Sequence, residues 1–509
     1  MRAGRLGGWR LALGLPLVLS AALACAGAMA RSKDHAPDPI VLDGWRLAEH
    51  AGLTIYTNAS DATARRAFRQ LSRFIDYVSQ LVSGHPFEAN RRLEVFVFGA
   101  RSEYLRFAPE MLAGHARRGD GENQIALSIE QIFEGTRTLY HELVHTVLHN
   151  DPDRSFPNWF HEGLAGFFDT SVLRGDVLTV GGLSPTAVQQ MRLKRPLPLR
   201  RLLASPASGQ RDIELFYADA WAFVHFGLRS ASMSGPDRRD AFGSFVSRVS
   251  RGEAWEPAFL AAFAATPEEI AEEYERHRKR LVDTQVLTLS NVTLALDEPA
   301  LVFAPLGRLE IARELAQLGL GYDAGTESAA LLLDLLLEAD PDDPEAIYGR
   351  IRVAVQRGEL DLAGALWERL ADDQRQGLAA RQAEADLALE CARALRLDER
   401  ATVGAENLAR AIAGYRHVLV NAPDRLSALV GLGQALVLSE HEDPAAGISA
   451  LERAIEMAPE SPRVRLDLAE LMIRTDALSA AEPHLDYVVE AYPHSPWANR
   501  AKRLRRKTR

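Results

Sequence analysis

The chain has 509 residues, of which 47 % are hydrophobic and 25 % charged, the proportions of an ordinary globular protein. This composition excludes collagen-like, mucin-like and wholly disordered chains, and the length predicts two or three domains. The 59 Lys and Arg against 69 Asp and Glu give a net charge of −10, so we expect no nucleic-acid partner. Two cysteines cannot form a disulfide scaffold.

Residues 1–30 have the pattern of a secretory signal peptide. Arginines at positions 2, 5 and 10 precede an apolar run from Leu11 to Ala24, which is shorter than the about 20 residues that span a membrane. Ala28-Met29-Ala30 is an A-x-A cleavage site, whereas Ala22-Leu23-Ala24-Cys25 resembles a bacterial lipobox and would leave a lipid anchor at Cys25. Both alternatives predict export across the inner membrane to the bacterial periplasm or cell envelope.

Residues 31–39 are polar and are interpreted as a tether. The region that follows, from about residue 40, has a mixed pattern of helices and strands. Alternating apolar residues predict strands, and apolar residues at helical spacing predict helices. Either Ser60 or Asp61 can cap the first of these helices. We expect strands at Leu53–Thr57, Leu93–Phe98 and, after the Gly119 and Gly121 turn, Gln124–Ile129, and then helices over about 132–149, from Pro157, and onward to about residue 285.

From about residue 300 the sequence repeats with a period near 34 residues. Prolines at the junctions of helical runs are separated by 34 and 36 positions, and small residues stand where paired helices cross. This pattern predicts tetratricopeptide (TPR) repeats, which stack because one helical hairpin cannot bury its apolar stripe alone. We expect four units and a fifth beginning near Pro305, with residues 375–422 fitting one stretched unit poorly and the basic tail Lys502–Arg509 ending a capping helix. The prolines are Pro341, Pro423, Pro459 and Pro493.

The sequence His-Glu-Leu-Val-His at residues 141–145 matches the H-E-x-x-H pattern. On a helix, His141 and His145 are about 40° apart around the axis and about 6 Å apart along it, so both imidazoles face one point. Glu142 lies about 100° from His141, on the flank of that face, where it can hydrogen-bond a water molecule without being a ligand. The spacing therefore predicts two of the ligands of a metal ion.

A catalytic zinc site needs a third protein ligand, for which Glu162 is the candidate. The first helix ends near Asn150 and the second begins near Pro157, so His145 and Glu162 each lie about 7.5 Å from the turn. If the two helices are antiparallel, Glu162 returns to the level of His145. The neighbouring His149 and His161 are predicted to be a helix-end residue and a surface or core residue.

His-Glu-Leu-Val-His followed after sixteen residues by Glu162, in Trp-Phe-His-Glu-Gly-Leu-Ala, resembles the gluzincin metallopeptidases, above all the bacterial peptidase-MA-like domains. The resemblance covers about residues 45–285 and is specific at 139–168. It implies that His141, His145 and Glu162 bind one zinc ion per chain and that Glu142 is the general base. It also implies that the strand at 124–129 is an edge strand along which substrate aligns.

Some residues depart from the family pattern. Thermolysin-like enzymes carry an Asp where this chain has Gly166, and we interpret Asp169 as a surface acid, with a place behind the metal ligands as the alternative. Tyr217 is the candidate for stabilising the tetrahedral intermediate and His225 the second candidate, with a packed core position as the alternative for both. No exopeptidase motif stands out, so the resemblance favours an endopeptidase.

The expected fold is an α+β zincin-like metallopeptidase domain at 40–285 followed by an all-α TPR superhelix at 300–509, mostly helical overall. The expected function is a secreted zinc-dependent metallopeptidase whose repeats dock a protein partner or substrate. The alternative is an envelope scaffold that acts through its repeats, with an inactive or structural zinc domain. A third hypothesis is hydrolysis of a non-peptide amide or ester. The intact Glu142 favours an enzyme, because a structural site has no need of that carboxylate.

Overall fold

The computed structural model describes residues 40–506, except residues 51, 88–92, 108–114, 119–122, 131–135, 151–153, 176, 183, 205–212, 234, 285–289, 294–300, 321–322, 396–400, 440–441, 458–460 and 493–494. The predicted signal peptide, Cys25, the tether, the Gly119 and Gly121 turn, Pro459, Pro493 and the end of the basic tail lie outside these residues. Residues 42–509 form one compact unit. The described part of the chain is mostly helical.

Two sheets lie in the first half of the described chain. The larger has the strand order β4-β5-β3-β2-β1-β9, with β2, β3 and β5 parallel and the other neighbours antiparallel. The smaller is antiparallel in the order β6-β7-β8. The strands are β1 (Arg46–His50), β2 (Leu53–Thr57), β3 (Leu93–Phe98), β4 (His115–Arg118), β5 (Asn123–Ser128), β6 (Val172–Arg174), β7 (Val177–Val180), β8 (Ser290–Thr293) and β9 (Ala304–Pro305).

Ten helices of the described chain precede residue 300. The first begins at its N-cap Ser60, whose side chain accepts a hydrogen bond from the amide of Thr63, as the sequence predicts for a capped helix. The helices are α1 (Asp61–Ser83), α2 (Arg101–Tyr104), α3 (Thr136–Asn150), α4 (Asn158–Phe168), α5 (Pro185–Leu193), α6 (Leu199–Ala204), α7 (Ile213–Arg229), α8 (Arg239–Ser250), α9 (Trp255–Phe263) and α10 (Pro267–Thr284).

One core joins the larger sheet to the helices that carry the H-E-x-x-H sequence. Alternate residues of β2, β3 and β5, such as Ile55, Val95 and Ile125, share a buried cluster with apolar residues of α1, α3, α4 and α7. The rings of Phe74 on α1 and Tyr140 on α3 are stacked with their centroids 4.1 Å apart. The sheet therefore holds α3 in place in two ways, by packing against it directly and by packing against α1, which in turn contacts α3.

The structure corrects the expectation for the strand at 124–129. This strand, β5, is not an edge strand, because it pairs with β3 on one side and with β4 on the other. The edge strand on this side of the sheet is β4, whose His-Ala-Arg-Arg sequence has no apolar alternation and therefore gives no strand signal. The predicted run of helices to residue 285 also omits the hairpin of β6 and β7.

The described residues after 305 form five helical hairpins and a final helix. Pro341 and Pro423 lie at helix junctions as predicted, and Gly358 ends a helix with a φ of +72°. Residues 375–422 fold mainly as one hairpin of long helices, which explains their poor fit to the repeat length. The helices are α11 (Arg308–Gly319), α12 (Thr326–Ala339), α13 (Pro344–Arg357), α14 (Leu360–Arg369), α15 (Leu378–Leu395), α16 (Ala401–Asn421), α17 (Leu426–Leu438), α18 (Ala445–Met457), α19 (Pro462–Arg474), α20 (Leu478–Ala491) and α21 (Pro496–Arg505).

Small residues permit close packing within and between these hairpins. Gly433 on α17 and Gly447 on α18 lie so close to Leu451 and Leu471 that an added Cβ would collide with those side chains. Ala454 and Ala481 are fully buried. No helix within the described ranges is both long enough and apolar enough to cross a membrane.

Candidate metal centre

The candidate site lies between α3 and α4, which run antiparallel. His149, near the end of α3, packs its ring 4.2 Å from that of His161, near the start of α4. His141, one helical turn before His145, instead meets the end of α4, where Asp169 follows the last helical residue. The helix boundaries at Asn150 and Pro157 agree with the sequence prediction, and so does the return of Glu162 to the level of the histidines.

Three side-chain atoms from these helices converge. The Nε2 atoms of His141 and His145 lie 3.1 Å apart. The Oε2 atom of Glu162 lies 3.7 Å from Nε2 of His141 and 3.9 Å from Nε2 of His145. In the described part of the chain, this trio is the one group of three or more His, Cys, Asp or Glu residues whose geometry could hold a metal ion.

The trio fits a zinc ion by distance and by donor chemistry. Zinc binds imidazole nitrogen at about 2.0–2.1 Å and carboxylate oxygen at about 2.0–2.2 Å, so tetrahedral ligand atoms lie roughly 3.3–3.5 Å apart. The three separations bracket that value. Two imidazoles and one carboxylate are also the ligand set of a known class of catalytic zinc site, in which the fourth position stays open.

Asp169 lies directly behind His141. Its Oδ1 atom is 3.3 Å from Nδ1 of His141, the ring nitrogen that faces away from the trio. A carboxylate at this nitrogen fixes the tautomer that leaves Nε2 free for a metal, and it orients the ring. The structure thus favours the alternative interpretation of Asp169 over that of a surface acid.

The sequence contained a signal for Asp169. It stands seven residues after Glu162, about two turns of helix, so Asp169, at the C-cap of α4, lies on the same side of that helix as Glu162. Gly166, where thermolysin-like enzymes carry their Asp, packs against Trp221, and an added Cβ would lie 3.4 Å from an indole carbon of that residue. The carboxylate behind the histidine is therefore supplied from one turn further along.

Acidic neighbours control the charge of His141. Burial lowers the pKa of this imidazole, but the hydrogen bond with Asp169 and the negative charges of Glu162, Asp169 and Glu142 outweigh burial and raise the pKa to about 9. Glu142 is half-buried, and its carboxylate is one of the negative charges that raise this pKa. The same carboxylate charges that favour the protonated imidazole would also favour a metal cation at this position.

Close helix contacts fix the position of Glu162. An added Cβ on the next residue, Gly163, would lie 2.5 Å from the carbonyl oxygen of Ala220 and 2.7 Å from Cγ2 of Val224. The backbone of α4 therefore packs directly on α7 beside the ligand, and only glycine permits this approach.

Tyr217 and His225, the two candidates for stabilising an intermediate, lie on α7. Tyr217 is half-buried against the core, one turn before the residues that contact α4. His225 is fully buried, its Nδ1 atom lies 3.0 Å from Nε2 of His277, and burial followed by the charges of His277 and Arg229 lowers its pKa to about 3. This placement favours the core interpretation for His225, and the role of Tyr217 stays a prediction.

The other two histidines belong to the surroundings of the trio. His149 lies within hydrogen-bonding distance of a backbone carbonyl, with Nδ1 2.7 Å from the oxygen of His145. His161 is buried and packs against His149 and, at 5.7 Å between ring centroids, against His145. These contacts agree with a helix-end position for His149 and a core position for His161.

Comparison with known proteins finds a family match in the C-terminal part of the chain. Residues 438–504, which run from the end of α17 into α21, match the Tetratricopeptide repeat family. A thermophilic TPR protein from Thermus thermophilus is similar over 39 % of this chain and 96 % of its own, with 20 % identity and a TM-score of 0.30. A MamA RS-1 ArsTM double mutant is similar over 39 % and 94 %, with 18 % identity and a TM-score of 0.26.

No curated protein matches the chain. The helical hairpins of the second half and the family match agree with each other and with the repeat period in the sequence. Repeats of this kind generally mediate binding between proteins. The chain therefore carries tetratricopeptide repeats over residues 438–504.

Proposed function

We propose that this chain is a zinc-dependent metallopeptidase of the gluzincin type that hydrolyses peptide bonds, and that its repeats dock a partner or substrate protein. The observation that carries the proposal is the convergence of His141 Nε2, His145 Nε2 and Glu162 Oε2 from two antiparallel helices. Glu142, on the flank of this trio, is a potential general base, and a purely structural zinc site would not need such a base.

Each residue has a separate task in this proposal. A zinc ion bound by the trio would supply Lewis acidity, which polarises a carbonyl group and lowers the pKa of a water molecule. The Glu142 carboxylate would act as the general base, accepting a proton from the attacking water molecule and passing it to the leaving nitrogen. Asp169 holds the His141 ring by its Nδ1 atom, and the contact of Gly163 with α7 holds Glu162 in place.

The test compares wild-type protein with Glu142→Gln, which keeps the shape of the side chain and removes the base. We expect both proteins to hold about one zinc per chain, and we expect only the wild type to produce new fragments in the envelope proteome. Glu130→Gln, an exposed acid ahead of α3, is the control and should behave as wild type. Equal fragment patterns from wild type and Glu142→Gln would refute the peptidase.

The second candidate function is an envelope scaffold in which the repeats act alone. It is favoured by the match of residues 438–504 to a repeat family whose members bind proteins. A wild-type chain that binds zinc and a partner, but cleaves neither peptide libraries nor that partner, would support the scaffold over the enzyme.

We also propose that the protein is exported from the cytoplasm. Residues 1–30 carry a basic start, an apolar run and two alternative processing sites. Replacing Cys25 by Ser distinguishes them: lipoprotein processing predicts that the variant leaves the membrane fraction, and cleavage after Ala30 predicts no change.

A further inference from the structure

Positive charge is concentrated on α21, the last helix that the structure describes. Residues 496–509 contain seven Lys and Arg and no Asp or Glu, although acidic residues outnumber basic ones over the whole chain. Clusters of about four to eight basic residues on a helix are typical of proteins that bind anionic lipid surfaces. The fold neutralises some of these charges and leaves others exposed to solvent.

Two arginines of α21 are paired with acids of the preceding hairpin. Arg500 donates to Asp467 and Glu470 of α19, at 2.7 and 2.8 Å. Arg505 pairs with Asp486 of α20. These two arginines therefore hold α21 on the repeats, and their charges are balanced within the chain.

Three other basic residues of α21 point away from the preceding hairpin. The buried residues of the helix mark the side that packs on that hairpin, and they are Ala498, Ala501 and Leu504. At about 100° per residue, Arg503 and Arg506 lie on the opposite side and Lys502 lies on its flank. All three are exposed, and none forms an ion pair with a carboxylate of the described chain. We name these three residues the basic end face.

The basic end face is separate from the inner face of the stack, which the first helices of the hairpins line. It lies on the side of α21 against which a further hairpin would pack, because it is opposite the residues buried on α19 and α20. A repeat at the end of a stack needs a polar outer face to stay soluble, but charges of either sign meet that need. Three cations with no acid among them instead form a positive surface, whose mutual repulsion an anionic partner would relieve.

We propose that the basic end face binds the anionic phospholipid surface of the cell envelope. Each basic residue close to such a surface strengthens binding roughly fivefold, and exposed side chains reach the lipid phosphates without any change in the fold. A single lipid chain attaches a protein only marginally, and a basic patch is a second signal that makes the attachment stable. The basic end face therefore complements the alternative in which Cys25 carries a lipid.

Lipid phosphates fit this surface better than the phosphates of a nucleic acid. Removing the seven positive charges of residues 496–509 makes the rest of the chain more acidic than the net −10 of the whole, so a long polyanion that extends past α21 would be repelled. An exported protein also meets membranes on its way and at its destination. The inference rests on the export in the proposed function, but it does not depend on zinc or on hydrolysis.

The experiment measures co-sedimentation of the mature chain, from residue 31 onward, with lipid vesicles. This chain contains the whole compact unit of residues 42–509. At low salt it should bind vesicles made of equal parts phosphatidylcholine and phosphatidylglycerol and should not bind vesicles of phosphatidylcholine alone. High salt should weaken the binding, because salt screens exposed charges. Replacing Lys502, Arg503 and Arg506 together by Gln should weaken it about 100-fold, as expected for three charges.

The matched control removes the same charge from another part of the surface. Arg195, Arg251 and Lys279 are also exposed, and replacing all three by Gln should leave vesicle binding unchanged. A further variant, Arg503→Lys with Arg506→Lys, keeps the charge but changes its geometry. It should bind as wild type does, because a fluid lipid surface responds to charge and not to a fixed pattern of donors.

Three results would overturn the inference. They are equal binding to both kinds of vesicle, an equal loss of binding in the two triple variants, and tighter binding to a short DNA duplex than to the anionic vesicles. Vesicle preference in a wild type that produces no peptide fragments would refute the peptidase alone. Fragments without vesicle preference would refute the basic end face alone, and vesicle preference in a protein that cells retain in the cytoplasm would refute the export.

Discussion

At the scale of single residues, the candidate site depends on a carboxylate that does not touch the metal position. Asp169 contacts His141 through Nδ1, and partners of this kind raise the basicity of a ligating imidazole and fix its orientation. Losing the contact would weaken the proposed metal binding without removing a ligand. Asp169 is therefore a supporting residue for the three candidate ligands and not a ligand itself.

We expect Asp169→Asn to lower zinc affinity by about 10- to 100-fold while the protein stays folded. Competition with a chromophoric chelator measures the affinity, and circular dichroism checks the fold. Asp237→Asn is the control, because Asp237 is an exposed acid that pairs with its neighbour Arg239. Unchanged affinity in Asp169→Asn would return Asp169 to the surface interpretation.

The raised pKa of His141 predicts how the zinc-free protein responds to pH. Because the folded-state pKa of about 9 lies above the ordinary value of 6.5, the imidazolium stabilises the fold fully below pH 6.5. That stabilisation is lost as the pH rises through 9, and its size is on the order of 3 kcal/mol. Denaturant titrations of zinc-free protein across this window should show the loss.

The variant His141→Gln should lack this pH-dependent loss, whereas His417→Gln, which removes an exposed histidine of α16, should keep it. Zinc binding should also release protons at neutral pH, because a ligating imidazole must be neutral. If the zinc-free wild type lost no unfolding free energy relative to His141→Gln between pH 6.5 and pH 9, the positive charge assigned to His141 would be wrong.

At the scale of elements, the position of Glu162 depends on how closely α4 approaches α7. The clash at Gly163 would be with backbone and a branched side chain, neither of which can move aside easily. We expect Gly163→Ala to push the helices apart, lower the free energy of unfolding by about 1–3 kcal/mol and reduce zinc occupancy. Metal analysis and denaturant unfolding measure the two effects.

Gly243→Ala on α8 is the matched control for this prediction. Nothing lies within 4 Å of its added Cβ, so the change should raise stability by about 1 kcal/mol through helix propensity and leave zinc occupancy unaltered. If Gly163→Ala binds zinc as well as Gly243→Ala does, the contact with α7 does not position the ligand.

Local patterns explain which elements the sequence could predict. The helices α1, α3 and α4 carry long apolar stripes with recognisable ends, and β2 and β3 are β-branched and apolar, so each was predicted within a few residues. The strands β4, β6, β7 and β9 are two to four residues long, and partners distant in the sequence make them strands. No local period can reveal such pairing.

The same limit applies to the candidate site. His141, His145, Glu142 and Glu162 are predictable because fixed helical spacings and one short turn bring them together. The contact between Asp169 and His141 depends on the relative rotation of α3 and α4, and the close approach at Gly163 depends on how α4 packs on α7. These arrangements are set by tertiary packing.

At the scale of the whole molecule, residues 290–293 and 304–305 add a strand to each of the two sheets of the first half. The strand β8 completes the smaller sheet, and β9 pairs with β1 at the edge of the larger one. Leu301 is buried in the core of the first half, and its carbonyl accepts a hydrogen bond of 2.6 Å from Arg65. The strands β8 and β9 and Leu301 lie beyond the predicted boundary near residue 285.

The join continues into the first helical hairpin of the second half. Arg308, at the start of α11, forms an ion pair of 2.9 Å with Asp43, and the hydroxyl of Ser328 on α12 donates to the carbonyl of Arg106 at 3.1 Å. These contacts couple the helical hairpins to the sheet that supports the candidate metal centre.

We therefore expect a chain ending at residue 289 to be less stable than one ending at residue 306. The shorter chain loses β8, β9 and the burial of Leu301, which alone contributes about 1.5–3 kcal/mol. Denaturant unfolding should show at least that difference, and zinc occupancy of the shorter chain should fall because its core is incomplete. Leu309→Ala in the full-length chain removes an exposed apolar side chain just past the join and should change neither quantity. Equal stability of the two truncated chains would mean that residues 290–305 add nothing to the first half, and the boundary near residue 285 would then describe the folding unit.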